Sequence, residues 1–177
     1  MREFIDASVF LGMHSKDEQV RVMCKNYFVQ RLTEEIGMSL EQVGKCDDVV
    51  WQIPRERQDA YYPFMDNLHT IMAIQRVPYN ERDVQEAMFH QRLYSLDFSD
   101  RLTVGMALAR GGGLYTLNPK LVSFKPSIPI DRLGREVTVD PKWFDISDLV
   151  RSPQEGKELT FPTELERLYQ QSLVVRI

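Results

Sequence analysis

The chain has 177 residues, of which 43% are hydrophobic and 27% charged, and a formal net charge of −4. This length and balance suit one soluble globular domain that builds a core without staples. The acidic balance argues against a generic nucleic-acid-binding surface, and no apolar run is long enough to span a membrane.

The charge is unevenly spread. Residues 1–118 carry 13 Lys/Arg against 17 Asp/Glu, while residues 119–177 carry nine of each. The deficit therefore sits in the first two thirds, as a solvated acidic surface or as a carboxylate cluster that a cation would neutralise.

In chain order, the first element is an apolar strand near Phe4–Ile5 that ends at Asp6. The N-terminal stretch has no secretory h-region, so it is expected to stay in the mature protein. Ser15-Lys-Asp-Glu18 reads as a capping box that opens a long helix. Val20, Met23, Tyr27, Phe28, Leu32 and Ile36 recur along it at helical spacing, and Gly37 stops it. Met38 to Val43 reads as a second strand, followed by a helix from Gly44 to about Gln52, ended by Pro54. Residues 55–74 read as one or two helices broken near Pro63. Asn80-Glu-Arg-Asp83 caps a helix to about His90. Ser99 caps a further helix from Asp100, Gly111–Gly113 ends it, and residues 114–117 form a short buried strand.

After Pro119 the character changes. Prolines at 126, 129, 141, 153 and 162 accompany a possible strand at Val137–Val139 and a terminal helix from Phe161-Pro-Thr-Glu to about Leu173. Alternating strands and helices predict an α/β fold with a mostly parallel sheet. The tail is expected to pack on that core as an extension, because some 59 proline-rich residues bury little alone.

Cys24 and Cys46 make no CxxC, and no metal-ligand spacing joins them to His14, His69 or His90. That pattern excludes an evident zinc site and suits a reduced, cytoplasmic protein. Trp51, Tyr61, Tyr62 and Phe64 read as core aromatics.

The candidate chemistry lies with oxygen ligands. A helix from Asp100 to Arg110 runs about 15 Å, and the strand 114–117 returns about 13 Å. Asn118 therefore comes back to the level of Asp100. Asp6 ends a strand, and Asp47 is expected in the first turn of the helix after the second strand. Open α/β sheets bind ligands beyond the carboxyl ends of their strands, so these four side chains are expected to converge there. Clustered carboxylates favour a hard divalent cation such as Mg²⁺ or Mn²⁺. Each residue also has a local reading: Asp6 as a turn residue, Asp100 as a first-turn acid, Asn118-Pro119 as a turn initiator.

These residues resemble the PIN-domain family. Phe4-Ile-Asp-Ala-Ser8 matches its first motif, a strand ending in Asp with a small hydroxyl residue two later. Asp100, Ala107, Thr116 and Asn118 match its last, D-x6-A-x8-T-x-D/N. Asn at the final position is similar to the toxin-like, VapC-type members. The family's second acid is usually Glu, and here Asp47 is the candidate, with Asp48 and Glu41 as alternatives. The resemblance implies a three-layer α/β/α PIN-like domain over residues 1–122, with residues 123–177 as a C-terminal extension ending in a helix. It further implies a Mg²⁺- or Mn²⁺-dependent nuclease acting on RNA, often as a homodimer. The metal would lie at Asp6, Asp100, Asp47 and Asn118, supported by Ser8, Thr116 and Asp97. A degenerate PIN-like binding or assembly module is the alternative. A toxin of a toxin–antitoxin pair is a special case of the nuclease, and the extension offers a surface for a protein partner.

Overall fold

Strands β1 (Glu3–Ile5), β2 (Ile36–Ser39), β3 (Ile74–Val77), β4 (Gly113–Tyr115) and β5 (Val150–Arg151) form one sheet in the order β3-β2-β1-β4-β5. The computed structural model that shows this describes residues 3–123 and 149–177. All five strands run parallel and helices flank them, so the fold is the expected three-layer α/β class. The expected strand at Val137–Val139 lies outside the described residues. The helices are α1 (Ala7–Gly12), α2 (Glu18–Val29), α3 (Leu40–Trp51), α4 (Arg55–Ile71), α5 (Glu81–Phe89), α6 (Phe98–Ala109), α7 (Pro119–Val122) and α8 (Thr163–Ser172). The chain divides into two compact units, residues 5–78 with 153–177 and residues 1–4 with 79–152.

In the first unit, β2 pairs in parallel with β3, Ile36 opposite Ile74 and Ser39 opposite Val77. All four β2 residues are buried, as suits a strand covered on both faces. Helix α4 carries Phe64 and Leu68 into the core, and α8 returns Tyr169 and Leu165 to it. His14, Tyr61, Phe64, Phe161 and Tyr169 form one aromatic cluster, with ring centroids 4.9–5.9 Å apart.

Polar groups fix residues 157–177 to α2. Lys25, 1% exposed, pairs with Glu158 at 2.8 Å and Glu166 at 2.9 Å. Its ammonium also lies 4.9 Å from the Tyr169 ring centroid, within cation–π range. Arg21 donates to Glu158, Glu18 and Tyr169 Oη. Hydrogen bonds from Arg21, and then from Lys25, hold the Glu158 carboxyl down at about 2. The Asn26 side chain donates to Lys157 O and accepts from Leu159 N, as a paired strand would.

In the second unit, α5 and α6 meet at Gly105. A Cβ there would stand 2.9 Å from Ala87 N and Asp83 O, so only glycine allows the approach. Asp83, fully buried, serves twice. It closes a capping box with Asn80 and receives Arg110 Nε at 3.0 Å. Gly111 takes φ +64° beyond α6 and turns the chain towards β4. Strand β4 pairs in parallel with β5, Leu114 opposite Val150.

Several boundaries differ from expectation. Helix α2 ends at Val29, and Ile36-Gly-Met-Ser39 forms β2 in place of a helix end. Helix α3 therefore begins at Leu40, capped by Ser39, because the capping oxygen satisfies Gln42 N–H. Asp17, not Ser15, caps α2, and Asp97, not Ser99, caps α6. Helix α4 is unbroken and keeps Pro63 inside it. Trp51 is 73% exposed at the end of α3 and Tyr62 is exposed on α4, so neither is a core residue, whereas Tyr61 and Phe64 are buried.

Candidate functional site

In the unit of residues 79–152, the last sequence motif assembles. Asp97 sits in extended backbone before α6, and its Oδ1 accepts the Asp100 N–H at 3.0 Å. Asp100 thereby lies in the first turn of α6, where the helix dipole favours a negative charge, and is 8% exposed. Thr116, fully buried after β4, accepts the Asn118 N–H on its hydroxyl at 2.9 Å. This turn aims the Asn118 amide. Its Oδ1 accepts the Lys120 N–H and caps α7, and its Nδ2 donates to Asp100 Oδ1, both at 3.0 Å. Those two partners fix which end of the amide is oxygen.

Residues eighteen apart in sequence thus touch. Lys120 joins them from the surface: its Nζ lies 3.1 Å from Asp97 Oδ2. The hydrogen bond and charge of Asp97, followed by the charge of Asp100, raise the Lys120 pKa. The result is a carboxylate–amide pair with a second carboxylate and an ammonium at its rim.

In the unit of residues 5–78 and 153–177, Asp6 caps α1. Its Oδ1 accepts Ser8 N–H at 3.0 Å, Val9 N–H at 3.4 Å and the Ser8 hydroxyl. Asp6 is 5% exposed. Ser8 is thus a partner of Asp6, as expected of a small hydroxyl residue at that position. The next residue binds a side chain that sequence reading passed over. Gln42, buried in the first turn of α3, accepts the Ala7 N–H at 3.0 Å. Ser39-x-x-Gln42 is a recognisable capping-box spacing. Reading a strand through Val43 concealed it.

Asp47 is corrected. Because α3 starts at Leu40, Asp47 lies in the helix interior and not in its first turn, and it is exposed. It faces a cavity lined also by Asp66, His69 and Arg76. Of the alternatives, Glu41 pairs with Lys45 at 3.2 Å and Asp48 is exposed. Asp6 and Asp47 still share one neighbour. Burial pushes the Cys46 thiol up to about 12, and the charges of Asp47 and Asp6 add to the shift. Burial and Asp6 likewise lift Cys24 to about 12.

The donor chemistry suits a hard cation: carboxylate oxygens, with both cysteines buried as protonated thiols. Number is the shortfall. Among the described residues, no group of three or more His, Cys, Asp and Glu side chains is arranged to hold a metal ion. Also among the described residues, no helix is long and apolar enough to cross a membrane.

The chain belongs to a protein family of unknown function, DUF6190, whose profile matches residues 1–177. No curated protein matches it.

Proposed function

We propose that this protein is a divalent-metal-dependent nuclease of PIN type that hydrolyses RNA phosphodiesters in the cytoplasm. The observation that carries this reading is the 3.0 Å hydrogen bond from Asn118 Nδ2 to Asp100 Oδ1. It unites the two ends of a motif whose spacing suggested it. The all-parallel sheet gives further support, since such sheets take ligands beyond the carboxyl ends of their strands. Asp6 follows β1 by one residue, and Asn118 follows β4 by three.

In this reading Asp100 and Asp6 are the carboxylates that hold Mg²⁺ or Mn²⁺, each fixed by its own turn. When bound, the ion would supply an activated water and stabilise charge at phosphorus. Asn118 holds Asp100 in one rotamer and withholds its own carbonyl oxygen, which caps α7. Asp97 fixes the start of α6, so that Asp100 does not swing with a fraying helix end. Lys120, exposed beside Asp97 and within reach of the charge of Asp100, offers a cation to a phosphate of the bound strand. The test is hydrolysis of a fluorogenic single-stranded RNA with Mn²⁺. Cleavage that is abolished in both Asp6→Asn and Asp100→Asn supports the reading, and cleavage that survives both substitutions removes it.

A second reading is favoured by Gln42. The α3 side chain that reaches the Asp6 turn is a neutral amide, not a carboxylate, which leaves fewer charges for a cation. On that reading the protein is a PIN-like binding or assembly module without cleavage. Saturable Mg²⁺ binding at millimolar concentration, followed by calorimetry, separates the two: its absence favours the module.

A further inference from the structure

Three successive N–H groups open α1, and two side chains share them. Asp6 Oδ1 accepts those of Ser8 and Val9, and Gln42 Oε1, arriving from α3, accepts that of Ala7 at 3.0 Å. We propose that Gln42 is the positioning residue of the Asp6 carboxylate: it fixes the backbone from which that carboxylate is presented to a divalent ion. The inference deepens the nuclease reading, and rests on it, by assigning the metal site a residue that acts through another.

The Ala7 N–H belongs to the peptide unit that follows Asp6 Cα, and a planar peptide moves as one body. Holding that N–H therefore holds ψ of Asp6, which stands at 178° with φ at −105°. Those two angles set how the Asp6 side chain leaves the backbone relative to α1. The Ser8 hydroxyl and N–H then set the rotation of the carboxylate. One side chain fixes the base of Asp6 and the other fixes its tip.

Gln42 is itself fixed. It is 5% exposed, and Ser39 Oγ, at the end of β2, accepts its backbone N–H at 3.2 Å. Thirty-five residues separate it from Ala7, so the bond is a tertiary tie and not local turn chemistry. The tie matters because α1 has six residues, too few to hold its own first turn firmly. The residue type matters as well. A carboxylate at position 42 would make the same bond but add a like charge next to the Asp6 turn, a repulsion that a bound cation relieves. The amide holds the turn without that charge.

The experiment is calorimetric titration of Mn²⁺ into the full-length wild type, Gln42→Met and Gln42→Glu, with urea denaturation of each. Gln42→Met keeps the length of the side chain and removes the acceptor. It should bind Mn²⁺ about tenfold to a hundredfold more weakly, the usual loss when a group that orients a metal ligand is removed. Gln42→Glu keeps the acceptor and should bind at least as tightly as the wild type. A structural role alone would lower the urea midpoint of Gln42→Met and leave the Mn²⁺ affinity of the folded chain unchanged; that result overturns the inference. So does a Gln42→Glu that binds as weakly as Gln42→Met. Should Gln42→Met fail to fold, Gln42→Asn, which withdraws the acceptor by one carbon, takes its place with the same expectation. A wild type that binds no Mn²⁺ ends the nuclease reading and this inference together, whereas wild-type binding matched by Gln42→Met ends this inference alone.

Discussion

His14 should make this protein lose stability in mildly acid solution. The imidazole is fully buried among Tyr61, Phe64 and Tyr169. Its Nε2 lies 2.8 Å from Ser172 Oγ, whose own proton goes to Tyr169 O, so Nε2–H is the donor and Nδ1 carries no proton. Nδ1 is buried without a partner. Protonation there would bury an unsatisfied N–H⁺. Burial first, then Arg176 and Arg21, lower the pKa to about 3, against 6.5 in the unfolded chain. Between those values the unfolded state binds the extra proton, so stability rises with pH. The contribution is present above 6.5 and is lost as pH falls towards 3. Applying about 1.4 kcal/mol per unit of pKa difference, the loss between pH 7 and pH 5 is about 2 kcal/mol. The assay is urea denaturation at both pH values for the wild type and for His14→Gln, which keeps a donor for Ser172. The variant should lose about 2 kcal/mol less than the wild type over that interval. Equal losses in the two proteins would refute the argument, since other titrating groups cancel in the comparison.

Two glycine substitutions should have opposite signs. Gly105→Ala drives a methyl into backbone atoms of α5, and should cost about 1–3 kcal/mol even after the helix-propensity gain. Gly44→Ala, in α3 with nothing within 4 Å, should stabilise by about 0.5–1 kcal/mol; urea midpoints read both. Lys25→Met strips the buried partner from Glu158 and Glu166. It should cost about 2–4 kcal/mol, less than for a fully buried pair because Glu158 is 37% exposed and keeps Arg21; thermal melting followed by far-UV dichroism reads it. Asn118→Ala should lower RNA cleavage by about tenfold to a hundredfold with Mn²⁺ affinity reduced less, as expected for a positioning residue; steady-state kinetics against metal concentration tests this.

What the sequence made legible was whatever local chemistry settles alone. The Asn80–Asp83 box, the glycine reversal before β4, the strand ending at Asp6 and the return of Asn118 to Asp100 all rest on short-range rules. Where two rules competed, tertiary context decided. Asp17 and Ser15, or Asp97 and Ser99, are each acceptable caps, and hydrogen bonding to the next turn selects the aspartates. The run from Ile36 to Val43 suits a strand or a helix, and only pairing of β2 with β3 fixes the change at Ser39. Strand β3 escaped notice because Gln75 and Arg76 are exposed at the sheet edge, so the apolar signal is weak. Helix α1 escaped because six residues are too few for a periodic pattern. Gln42 was hidden by that same misplaced boundary. Tyr61 was correctly read as buried, but no sequence rule shows that it lines a cavity.

The central claim is that Asp6 and Asp100 bind a divalent ion. Calorimetric titration of Mn²⁺ into the wild type, Asp6→Asn and Asp100→Asn tests it most directly. The account predicts saturable binding to the wild type that is lost in each variant while the fold, read by far-UV dichroism, is retained. A wild type that binds no Mn²⁺ at millimolar concentration, or variants that bind as well as the wild type, would contradict it.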